Sequence, residues 1–383
     1  MNVLITGARG FIGRNLRARL CVYPQCNVRS FHKENSATEL REWLTTTDLV
    51  FHLAGVNRPR YTEEYETGNA GFTETLCDVL RQLGHAPKIV LASSIQAELD
   101  NPYGLSKRHA EQRLEMFARQ TGAEVRIYRL KNVFGKWCRP NYNSVVATFC
   151  HNIANDLPIS VSDPGREVDL VYIDDVVGAL ISELETRPAS SRPVAEIPSY
   201  CISLGELAGR IQVFRDMRSS LLTPDFACRF NQALYATYLS YVPAGHRKQQ
   251  LKINSDNRGA LAEFAKSRHF GQIFVSRTLP GITRGNHYHQ TKTEKFFVIQ
   301  GEGVIRMRQI EEGEIIEYNV RGEDFQVIDI PPGVTHSITN VGRGEMVTLF
   351  WSSEVFDPDC PDTYYLPVDI KEERSRLLQL GKA

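Results

Sequence analysis

The stretch Val3-Leu4-Ile5-Thr6-Gly7-Ala8-Arg9-Gly10-Phe11-Ile12-Gly13 decides the fold of the first part of the chain. A short apolar run passes directly into a turn that carries glycine at three positions and then opens a helix. Glycine is needed there because the backbone turns sharply and must approach a pyrophosphate closely, while the N–H groups of the helix start face that anion. We interpret Gly7, Gly10 and Gly13 as a dinucleotide fingerprint; the alternative is a tight turn without a ligand.

The residues that follow alternate between short apolar runs and longer amphipathic stretches as far as about residue 180. The runs predicted to be buried strands are Val3–Thr6, Val28–Phe31, Leu49–Leu53, Ile89–Ala92 and Val125–Leu130. The stretches predicted to be helices are Arg14–Leu20, Phe72–Leu83 and Lys107–Thr121. Strands separated by helices predict an α/β fold, a doubly wound parallel sheet of the Rossmann type.

The pattern changes after about Pro243 to short β-rich runs broken by Gly, Pro and charged turns. These runs are Phe270–Leu279, Glu294–Gln300, Gly303–Gln309, Ile315–Asn319, Gln326–Ile330 and Glu345–Trp351. The pattern is typical of an all-β antiparallel jelly-roll barrel. We place the boundary within Pro243–Ser255, which predicts a first domain over 1–246 and a second over 256–383.

Composition excludes several classes of partner. The 383 residues include 45 basic and 45 acidic side chains, so no broad positive field is present for nucleic acid or an anionic membrane. No apolar run reaches the roughly 20 residues that span a bilayer, and the N-terminus is a strand rather than a signal peptide. The eight cysteines form no Cys-x-x-Cys pair. We expect a cytoplasmic protein with reduced thiols.

Tyr103 and Lys107 form a Tyr-x-x-x-Lys pair at the start of a predicted helix, which places both side chains on one face. A neighbouring ammonium lowers the pKa of a phenol, so the tyrosine can exchange a proton with a sugar oxygen. Ser94, at the end of the fourth strand, can donate a second hydrogen bond to that oxygen, and Ser93 is the open alternative. For an isolated pair, an exposed Tyr and Lys on a surface helix would be the simpler interpretation.

The end of the second strand indicates which nicotinamide cofactor is used. It has the sequence Ser30-Phe31-His32-Lys33, with no acidic residue before Glu34 to hold ribose hydroxyls. Arg9, Arg29 and Lys33 are candidates to bind a 2′-phosphate instead. We therefore expect NADPH rather than NADH.

A second cluster of chemically active residues lies in the β-rich half. His287 and His289 are separated by one residue, so they point to the same side of a strand, and Glu294 follows shortly after. His336, in a Pro-Pro-Gly-Val-Thr-His segment, supplies a third imidazole. Three histidines and a glutamate suit Zn²⁺, Fe²⁺, Mn²⁺ or Ni²⁺, and we expect zinc. Whether the metal is catalytic or structural is open.

The first 180 residues resemble an extended short-chain dehydrogenase/reductase, the group that contains sugar-nucleotide epimerases and reductases. Besides the glycine turn and the Tyr/Lys pair, the matching segments are Asp48–Gly55, Asn69, Asn132–Gly135 and Val171–Val176. The resemblance implies that Asn132 lies at the sugar-nucleotide site and that Lys107 also holds the nicotinamide ribose. It also implies that Ala54 and Gly55 line the cofactor. Together with the residues inferred from the sequence itself, the expected cofactor-binding residues are Gly7, Arg9, Gly10, Phe11, Ile12, Gly13, Arg29, Lys33, Leu53, Ala54, Gly55 and Lys107. The segment Ile95–Glu98 departs from the family pattern, which leaves substrate-side detail open.

The second half resembles a metal cupin, with Phe325 in place of the Gly that usually opens the second cupin motif. The fusion as a whole resembles bifunctional capsular-polysaccharide enzymes. The resemblance implies a UDP-linked 2-acetamido-2,6-dideoxy-4-hexulose substrate, epimerised at C3 and reduced at C4 to the L-talose sugar, on the route to N-acetyl-L-fucosamine. It also implies a homodimer. His336, Tyr288 and Lys292 are candidates for the base of the epimerisation.

Two alternatives remain at this point. In the first, only the reductase domain is catalytic, as a 4-ketoreductase or epimerase, and the cupin is a structural zinc or dimerisation module. In the second, the chain is a nucleotide-sensing protein without enzymatic activity. The chemistry itself supports the bifunctional interpretation, because a C4 ketone acidifies the C3–H and that acidity is lost once the ketone is reduced. Epimerisation must therefore come before reduction.

Overall fold

The computed structural model describes residues 1–185, 194–195, 197–310 and 313–370. The chain divides into two compact units, of which the first takes residues 1–212 and 232–243. The second takes residues 213–231 and the chain from residue 244 onward. Residues 213–231 therefore belong to the second compact unit, although residues of the first unit flank them in sequence. The boundaries of the functional domains, 1–246 and 256–383, stay a prediction.

The first part of the chain alternates strands and helices. Its strands are β1 Asn2–Thr6, β2 Asn27–Phe31, β3 Leu49–His52, β4 Lys88–Ser94, β5 Val125–Leu130, β6 Asn132–Phe134, β7 Glu167–Tyr172, β8 Val194–Ala195 and β9 Tyr200–Ser203. The helices are α1 Phe11–Leu20, α2 Ala37–Leu44, α3 Glu63–Tyr65, α4 Phe72–Leu83, α5 Pro102–Thr121, α6 Val145–Ala154, α7 Ile173–Ser182, α8 Leu204–Ser220 and α9 Arg229–Tyr241. A wider helical turn, Glu66–Gly71, joins α3 to α4. No helix within the described ranges is both long enough and apolar enough to cross a lipid bilayer.

The main sheet is parallel, with strand order β2-β1-β3-β4-β5-β8, which confirms the predicted doubly wound fold. The strand order reverses between β1 and β3, and ligands bind at such a reversal, beyond the carboxyl ends of the strands. Thr6 pairs in register with both Phe31 and His52, so three strand ends meet there. A smaller sheet, β6-β7-β9, follows.

The two faces of the main sheet bury separate apolar clusters. Val3 and Ile5 of β1 pack on one face with residues of α1 and α7. Leu4, which points the other way, packs with residues of α2, α4 and α5. This alternation along one strand follows from the pleat, and it explains why the strands are apolar throughout.

Helix α5, which carries the Tyr/Lys pair, has strong signals at both ends. Asn101 precedes it and its side chain accepts a hydrogen bond from the Gly104 N–H over 2.8 Å, while Pro102 occupies the first turn. The helix ends at Gly122, whose φ of 75° is a left-handed conformation that favours glycine. It therefore begins five residues before the predicted start at Lys107.

The second unit consists of antiparallel strands. They are β10 Ile253–Asp256, β11 Gly259–Ser267, β12 Gly271–Thr278, β13 Thr283–Tyr288, β14 Glu294–Gln300, β15 Glu302–Gln309, β16 Ile316–Arg321, β17 Val327–Ile330, β18 Val334–Asn340, β19 Met346–Ser352 and β20 Tyr364–Tyr365. They form sheets of order β10-β11-β12-β19-β14-β17 and β16-β15-β18-β13-β20. An apolar cluster drawn from both sheets, including Phe296, Ile305, Ile338 and Phe350, is buried. The predicted all-β, cupin-like architecture is confirmed.

Candidate active site and metal centre

The glycine turn lies where β1 and β3 meet. Gly7 has a φ of 69°, and a Cβ placed on it would lie 2.6 Å from the Ala54 nitrogen. A Cβ on Gly13 would collide with the Gly7 carbonyl oxygen and the Ala8 backbone. Gly7 thus permits the close approach of two strand ends, whereas Gly13 permits helix α1 to pack on the turn. Both requirements are those of a dinucleotide-binding turn.

The start of α1 presents unpaired N–H groups. Gly10 precedes the helix and supplies no side-chain cap, and the first turn contains no acidic residue. The first N–H groups of a helix have no partner within the helix, so they remain available to an anion. The Phe11 and Ile12 side chains pack on the core, as does Leu53, so these residues contribute backbone rather than side chains to the turn. The turn fits a cofactor pyrophosphate.

A buried row of polar groups connects this turn to the segment before α4. The Ala54 N–H donates to Thr6 Oγ1 over 3.2 Å, and Thr6 Oγ1 lies 2.8 Å from His52 Nδ1. His52 Nε2 lies 3.0 Å from Thr73 Oγ1, which donates to the Asn69 carbonyl over 2.8 Å. Because Thr73 donates onward, His52 must donate from Nε2 and accept at Nδ1 from Thr6. Burial lowers the pKa of His52 to about 3, so the ring is neutral.

Asn69 holds the turn from the other side. Its Oδ1 accepts from the Val56 N–H over 2.8 Å, and its Nδ2 donates to the Val56 carbonyl over 3.0 Å and to Ser106 Oγ over 2.9 Å. One buried side chain therefore fixes the segment after β3 to helix α5. From the sequence alone, Asn69 is only a family match, and Thr6, His52 and Thr73 have no assigned role. A signal was present, since Thr6 and His52 are polar residues that end two apolar strands.

Ser94 and Tyr103 are brought together at the carboxyl end of β4. Burial raises the pKa of Tyr103, and a hydrogen bond with the Ser94 side chain partly offsets that rise. Loss of hydration on burial is the largest effect on this phenol, so its pKa is raised and not lowered as the sequence led us to expect. A protonated phenol suits proton donation to a developing alkoxide.

Lys107 lies one helical turn after Tyr103 and is buried. Its ammonium donates to the Ala92 carbonyl over 2.8 Å. A Cβ on Gly55 would lie 3.7 Å from Lys107 Nζ, so the ammonium adjoins the segment after β3. Burial lowers the pKa of Lys107 to about 8, against the opposing charge of Glu111. The ammonium, the phenol and the Ser94 hydroxyl thus occupy one site beside the glycine turn.

Ser93 is separated from this site by the pleat of β4. Its hydroxyl donates to the buried carboxylate of Glu111, which also accepts from Arg129 over 2.7 Å. Ser93 thus belongs to a buried polar network, whereas Ser94 lies with Tyr103. Of the two serines that the sequence left open, the geometry favours Ser94.

The basic residues proposed for a 2′-phosphate have different surroundings. Arg9 is exposed and forms an ion pair with Glu34 over 3.1 Å. The Arg29 guanidinium carbon lies 5.8 Å from the centroid of the Trp43 ring, and Lys33 is exposed just after β2. The Arg9 guanidinium is thus already paired with the Glu34 carboxylate, an ion pair that the sequence did not predict. Asn132, proposed at the sugar site, is exposed at the start of β6 and donates to the Asp169 carbonyl over 3.1 Å.

The second unit brings His287, His289, Glu294 and His336 together. One ligand atom from each lies within 4.8 Å of all the others. Glu294 Oε2 is 3.2 Å from His289 Nε2 and 3.3 Å from His336 Nε2. The pairing of His287 with His336 in register between β13 and β18 explains how residues far apart in sequence meet.

The ring orientations favour a cation at the centre of this quartet. His289 donates from Nδ1 to the Asp362 carbonyl over 2.6 Å, and His336 from Nδ1 to the Val334 carbonyl over 3.2 Å. Burial lowers the pKa of His287 to about 4, so that ring is neutral. Because Nδ1 is the donor in both rings, the Nε2 atoms of His289 and His336 are left facing the Glu294 carboxylate, buried and without a hydrogen-bond partner. Lone pairs converging on one point fit a divalent metal ion, and His–carbonyl bonds of this kind orient metal ligands.

A C-terminal strap, residues 361–368, covers this quartet. The Asp362 carboxylate accepts from the N–H groups of Gln290, Thr291 and Lys292 over 2.9, 3.0 and 2.9 Å. The buried Lys292 ammonium donates to the Pro361 carbonyl over 3.1 Å. Tyr288 points to the other side of β13, where its ring centroid is 5.3 Å from that of Tyr364. Among the three candidate bases, Tyr288 therefore faces away from the metal centre.

Two family models match the chain. Residues 3–193 match the NAD dependent epimerase/dehydratase family, and residues 254–364 match the polysaccharide biosynthesis C-terminal domain. The UDP-2-acetamido-2,6-beta-L-arabino-hexul-4-ose reductase of Pseudomonas aeruginosa is 46% identical over 364 residues, covering 95% of this chain and 98% of the relative. The spore coat polysaccharide biosynthesis protein SpsL of Bacillus subtilis is 27% identical over 135 residues, covering 33% of this chain and 89% of the relative.

A solved structure matches along nearly the full length. It is the capsular polysaccharide assembling protein CapF from Staphylococcus aureus, with a TM-score of 0.89 and 44% identity, covering 96% of this chain and 100% of that one. Both the order of the domains and their folds are the same. The chain therefore belongs to the CapF family, in which a domain of the NAD dependent epimerase/dehydratase family is followed by a polysaccharide biosynthesis C-terminal domain.

Proposed function

We propose that this chain is a bifunctional nucleotide-sugar enzyme of capsule or O-antigen synthesis. Its cupin unit epimerises C3 of a UDP-2-acetamido-2,6-dideoxy-hexos-4-ulose, and its first unit then reduces the C4 ketone. The product is UDP-2-acetamido-2,6-dideoxy-L-talose, a precursor of UDP-N-acetyl-L-fucosamine. The observation that carries the proposal is the convergence of Ser94, Tyr103 and Lys107 beside a turn shaped for a dinucleotide.

In the reduction, Ser94 and Tyr103 hold the ketone oxygen by two hydrogen bonds. Bound NADPH supplies the hydride. Tyr103, whose raised pKa keeps it protonated, gives its proton to the oxygen as negative charge develops there. The Lys107 ammonium, adjoining Gly55, is placed to hold the nicotinamide ribose and to stabilise the phenolate that remains.

NADPH is the proposed cofactor because Arg9 and Lys33 place two exposed cations after β1 and β2, where a 2′-phosphate would lie. The competing feature is Glu34, which pairs with Arg9 and could accept ribose hydroxyls of NADH. Comparing KM for NADPH and NADH decides between them. We expect KM for NADPH to be lower, and an Arg9→Gln variant to lose that preference.

For the epimerisation, a base removes the C3 proton that the neighbouring ketone acidifies, and reprotonation on the opposite face inverts the centre. His287, His289, Glu294 and His336 would hold a divalent metal ion, for which we propose Zn²⁺, and such an ion would supply Lewis acidity to the enolate oxygen. The strap keeps the His289 ring oriented for that task. We propose a homodimer as the assembly, which light scattering tests.

Isotope exchange tests the two activities separately. The purified protein is incubated with the 4-keto sugar in D₂O without NADPH, and deuterium at C3 is measured by mass spectrometry. We expect exchange in the wild type and none in His336→Ala, while both oxidise NADPH with a sugar already epimerised at C3. If the wild type reduces that sugar but gives no exchange, the cupin is a structural or dimerisation module and the epimerase half of the proposal is wrong. If NADPH is not oxidised with any 4-keto nucleotide sugar, the reductase half is wrong.

A further inference from the structure

Two arginines in the first unit share one aromatic ring. The guanidinium carbon of Arg58 lies 5.4 Å from the centroid of the Tyr142 ring, and that of Arg139 lies 5.1 Å from it. The Tyr142 hydroxyl donates to Asn57 Oδ1 over 2.9 Å, which fixes the ring. Arg58 follows β3 and Arg139 follows β6, so two separate segments supply the pair. We name Arg58, Tyr142 and Arg139 the arginine clamp.

The clamp holds positive charge that no carboxylate neutralises. Throughout the described part of the chain, neither Arg58 nor Arg139 has a carboxylate within ion-pair distance, whereas the nearby Lys136 pairs with Asp174 over 2.7 Å. Contact with an aromatic face offsets part of the repulsion between two guanidinium groups, but it leaves their N–H edges free. Two exposed guanidinium groups held on one ring are suited to an anion with several oxygens.

The backbone beneath the clamp is firmly held. Val56, two residues before Arg58, is bonded at both its N–H and its carbonyl by Asn69. On the other segment, Trp137 and Asn141 have φ values of 69° and 54°. Non-glycine residues in the left-handed region are uncommon and cluster at functional sites. The guanidinium groups are thus presented by segments whose conformation is fixed.

Tyr65 places the clamp next to the catalytic tyrosine. Its hydroxyl donates to the Asn57 carbonyl over 3.4 Å, and its ring centroid lies 5.6 Å from that of Tyr103. Asn57 also binds the Tyr142 hydroxyl. Two residues, Asn57 and Tyr65, therefore connect the clamp to the Tyr103 phenol by direct contacts. A ligand whose anionic group binds the clamp would therefore lie close enough for another part of it to contact Tyr103.

We propose that the arginine clamp binds the diphosphate of a nucleotide. The inference rests on the proposed function, in which both the sugar nucleotide and the dinucleotide cofactor carry this group. The glycine turn and the start of α1 already offer an anion site to the cofactor pyrophosphate. The occupant assigned to the clamp is therefore the sugar nucleotide, whose sugar would then extend toward Tyr103.

Binding of UDP to the full-length protein tests the proposal without requiring turnover. Titration calorimetry gives Kd for UDP and for uridine, and nicotinamide fluorescence gives Kd for NADPH. We expect Arg58→Gln and Arg139→Gln each to weaken UDP about 10-fold or more, with uridine and NADPH changed less than about 3-fold. Arg60→Gln is the matched control, because Arg60 is an exposed arginine two residues from Arg58 without a ring contact. It should change the affinity for UDP less than about 3-fold.

Each other outcome is decisive. Unchanged UDP affinity in the Arg58→Gln/Arg139→Gln double variant overturns the proposal, as does equal weakening by Arg60→Gln, which would indicate only a general charge effect. Loss of NADPH affinity with UDP affinity unchanged would likewise overturn the proposal, and would place the cofactor pyrophosphate at the clamp instead. Since UDP binding is measured without reaction, a protein that binds UDP through the clamp yet fails to oxidise NADPH would contradict the proposed function alone.

Discussion

His289 and Asp362, separated by 73 positions in the sequence, are joined by a hydrogen bond of 2.6 Å from the imidazole Nδ1 to the main-chain carbonyl. The Asp362 carboxylate meanwhile accepts from three consecutive N–H groups that follow His289, which holds the pKa of this carboxyl well below its usual range, even though partial burial acts to raise it. One residue of the strap thus fixes both a proposed metal ligand and the turn after it. Asp362 therefore positions the proposed metal ligand His289 without being a proposed ligand itself.

Replacing Asp362 with Ala should lower metal affinity although no proposed ligand is altered. The change removes the acceptor of three N–H groups, so the 290–292 turn and the carbonyl that orients His289 lose their fixed position. Outer partners of this kind are worth about 10–100-fold in affinity. Competition with a chromophoric chelator measures zinc binding. Asp359→Ala is the control, because Asp359 is an exposed acidic residue three positions before Asp362 and outside the strap. Equal affinity in Asp362→Ala and wild type would contradict the expectation.

Replacing Tyr103 with Phe should lower kcat for ketone reduction by about 10²–10⁴-fold, because the proton donor is lost. The ring remains, so its contact with Tyr65 is retained and the fold should be unchanged. Stopped-flow measurement of NADPH oxidation gives kcat, and fluorescence titration gives Kd for NADPH, which should change less than about 3-fold. Retention of full turnover would show that the phenol is not the donor.

The reductase activity should fall as pH rises through about 8. Burial lowers the pKa of Lys107 to about 8, so the ammonium is protonated below that pH and neutral above it. Tyr103, with its pKa raised, stays protonated across the same interval and contributes no loss there. The pH profile of kcat/KM tests this, and Lys107→Arg, which keeps its charge, should move the fall to higher pH. A profile that is flat from pH 7 to 9.5 would contradict the assignment.

Ser93 and Ser94 provide a matched pair of variants. Ser94→Ala removes a group at the proposed ketone site, so kcat should fall about 10-fold or more. It also removes the acceptor of the Gln96 N–H, which should cost about 1 kcal/mol in the free energy of unfolding. Ser93→Ala removes a donor to the buried Glu111 carboxylate, which should cost about 1–3 kcal/mol in the free energy of unfolding while kcat is retained. Urea denaturation and steady-state kinetics measure the two effects. If instead Ser93→Ala lowers kcat and Ser94→Ala leaves kcat unchanged, Ser93 and not Ser94 lies at the ketone site.

Comparing Gly7→Ala with Gly84→Ala distinguishes the cost of a left-handed backbone conformation from the cost of a steric clash at the new Cβ. Both glycines have positive φ, 69° and 61°, but a Cβ on Gly84 meets nothing within 4 Å whereas one on Gly7 would lie 2.6 Å from the Ala54 nitrogen. We expect Gly84→Ala to cost about 1–2 kcal/mol in the free energy of unfolding and to leave NADPH binding intact. Gly7→Ala should cost more and weaken NADPH at least about 10-fold. If the two variants bind NADPH equally, the turn is not the cofactor site.

Much of the fold could be predicted because local patterns determine it. The strands of the parallel sheet are buried on both faces, so they appear as apolar runs, and the pair Tyr103 and Lys107 needs only helical spacing to share a face. The β-strands Gly259–Ser267 and Val334–Asn340 were missed. Neither strand has a regular apolar alternation, and the partners of Val334–Asn340, strands β13 and β15, lie distant in sequence.

The parts of the site that sequence analysis could not supply depend on distant contacts. Nothing near His289 indicates that its ring is oriented by Asp362, and nothing near Tyr142 indicates that arginines from two segments meet on its ring. The lowering of the Tyr103 pKa expected from the sequence rests on two charges, those of the Lys107 ammonium and of the nicotinamide. Burial, which depends on the assembled fold, had the larger effect.

The buried row from Ala54 through Thr6, His52 and Thr73 to Asn69 allows a single arrangement of its hydrogens. Each of its two hydroxyls accepts one bond and donates another, and the two ring nitrogens of His52 have fixed and opposite roles. Reversing any one bond would leave two donors or two acceptors facing each other without water. Residues 54–56 and the segment around residue 69 must therefore move as one piece. A ligand that binds to either segment should therefore slow amide hydrogen exchange in both. The exchange rate of the Val56 amide would then report on ligand binding at a site that Val56 does not contact.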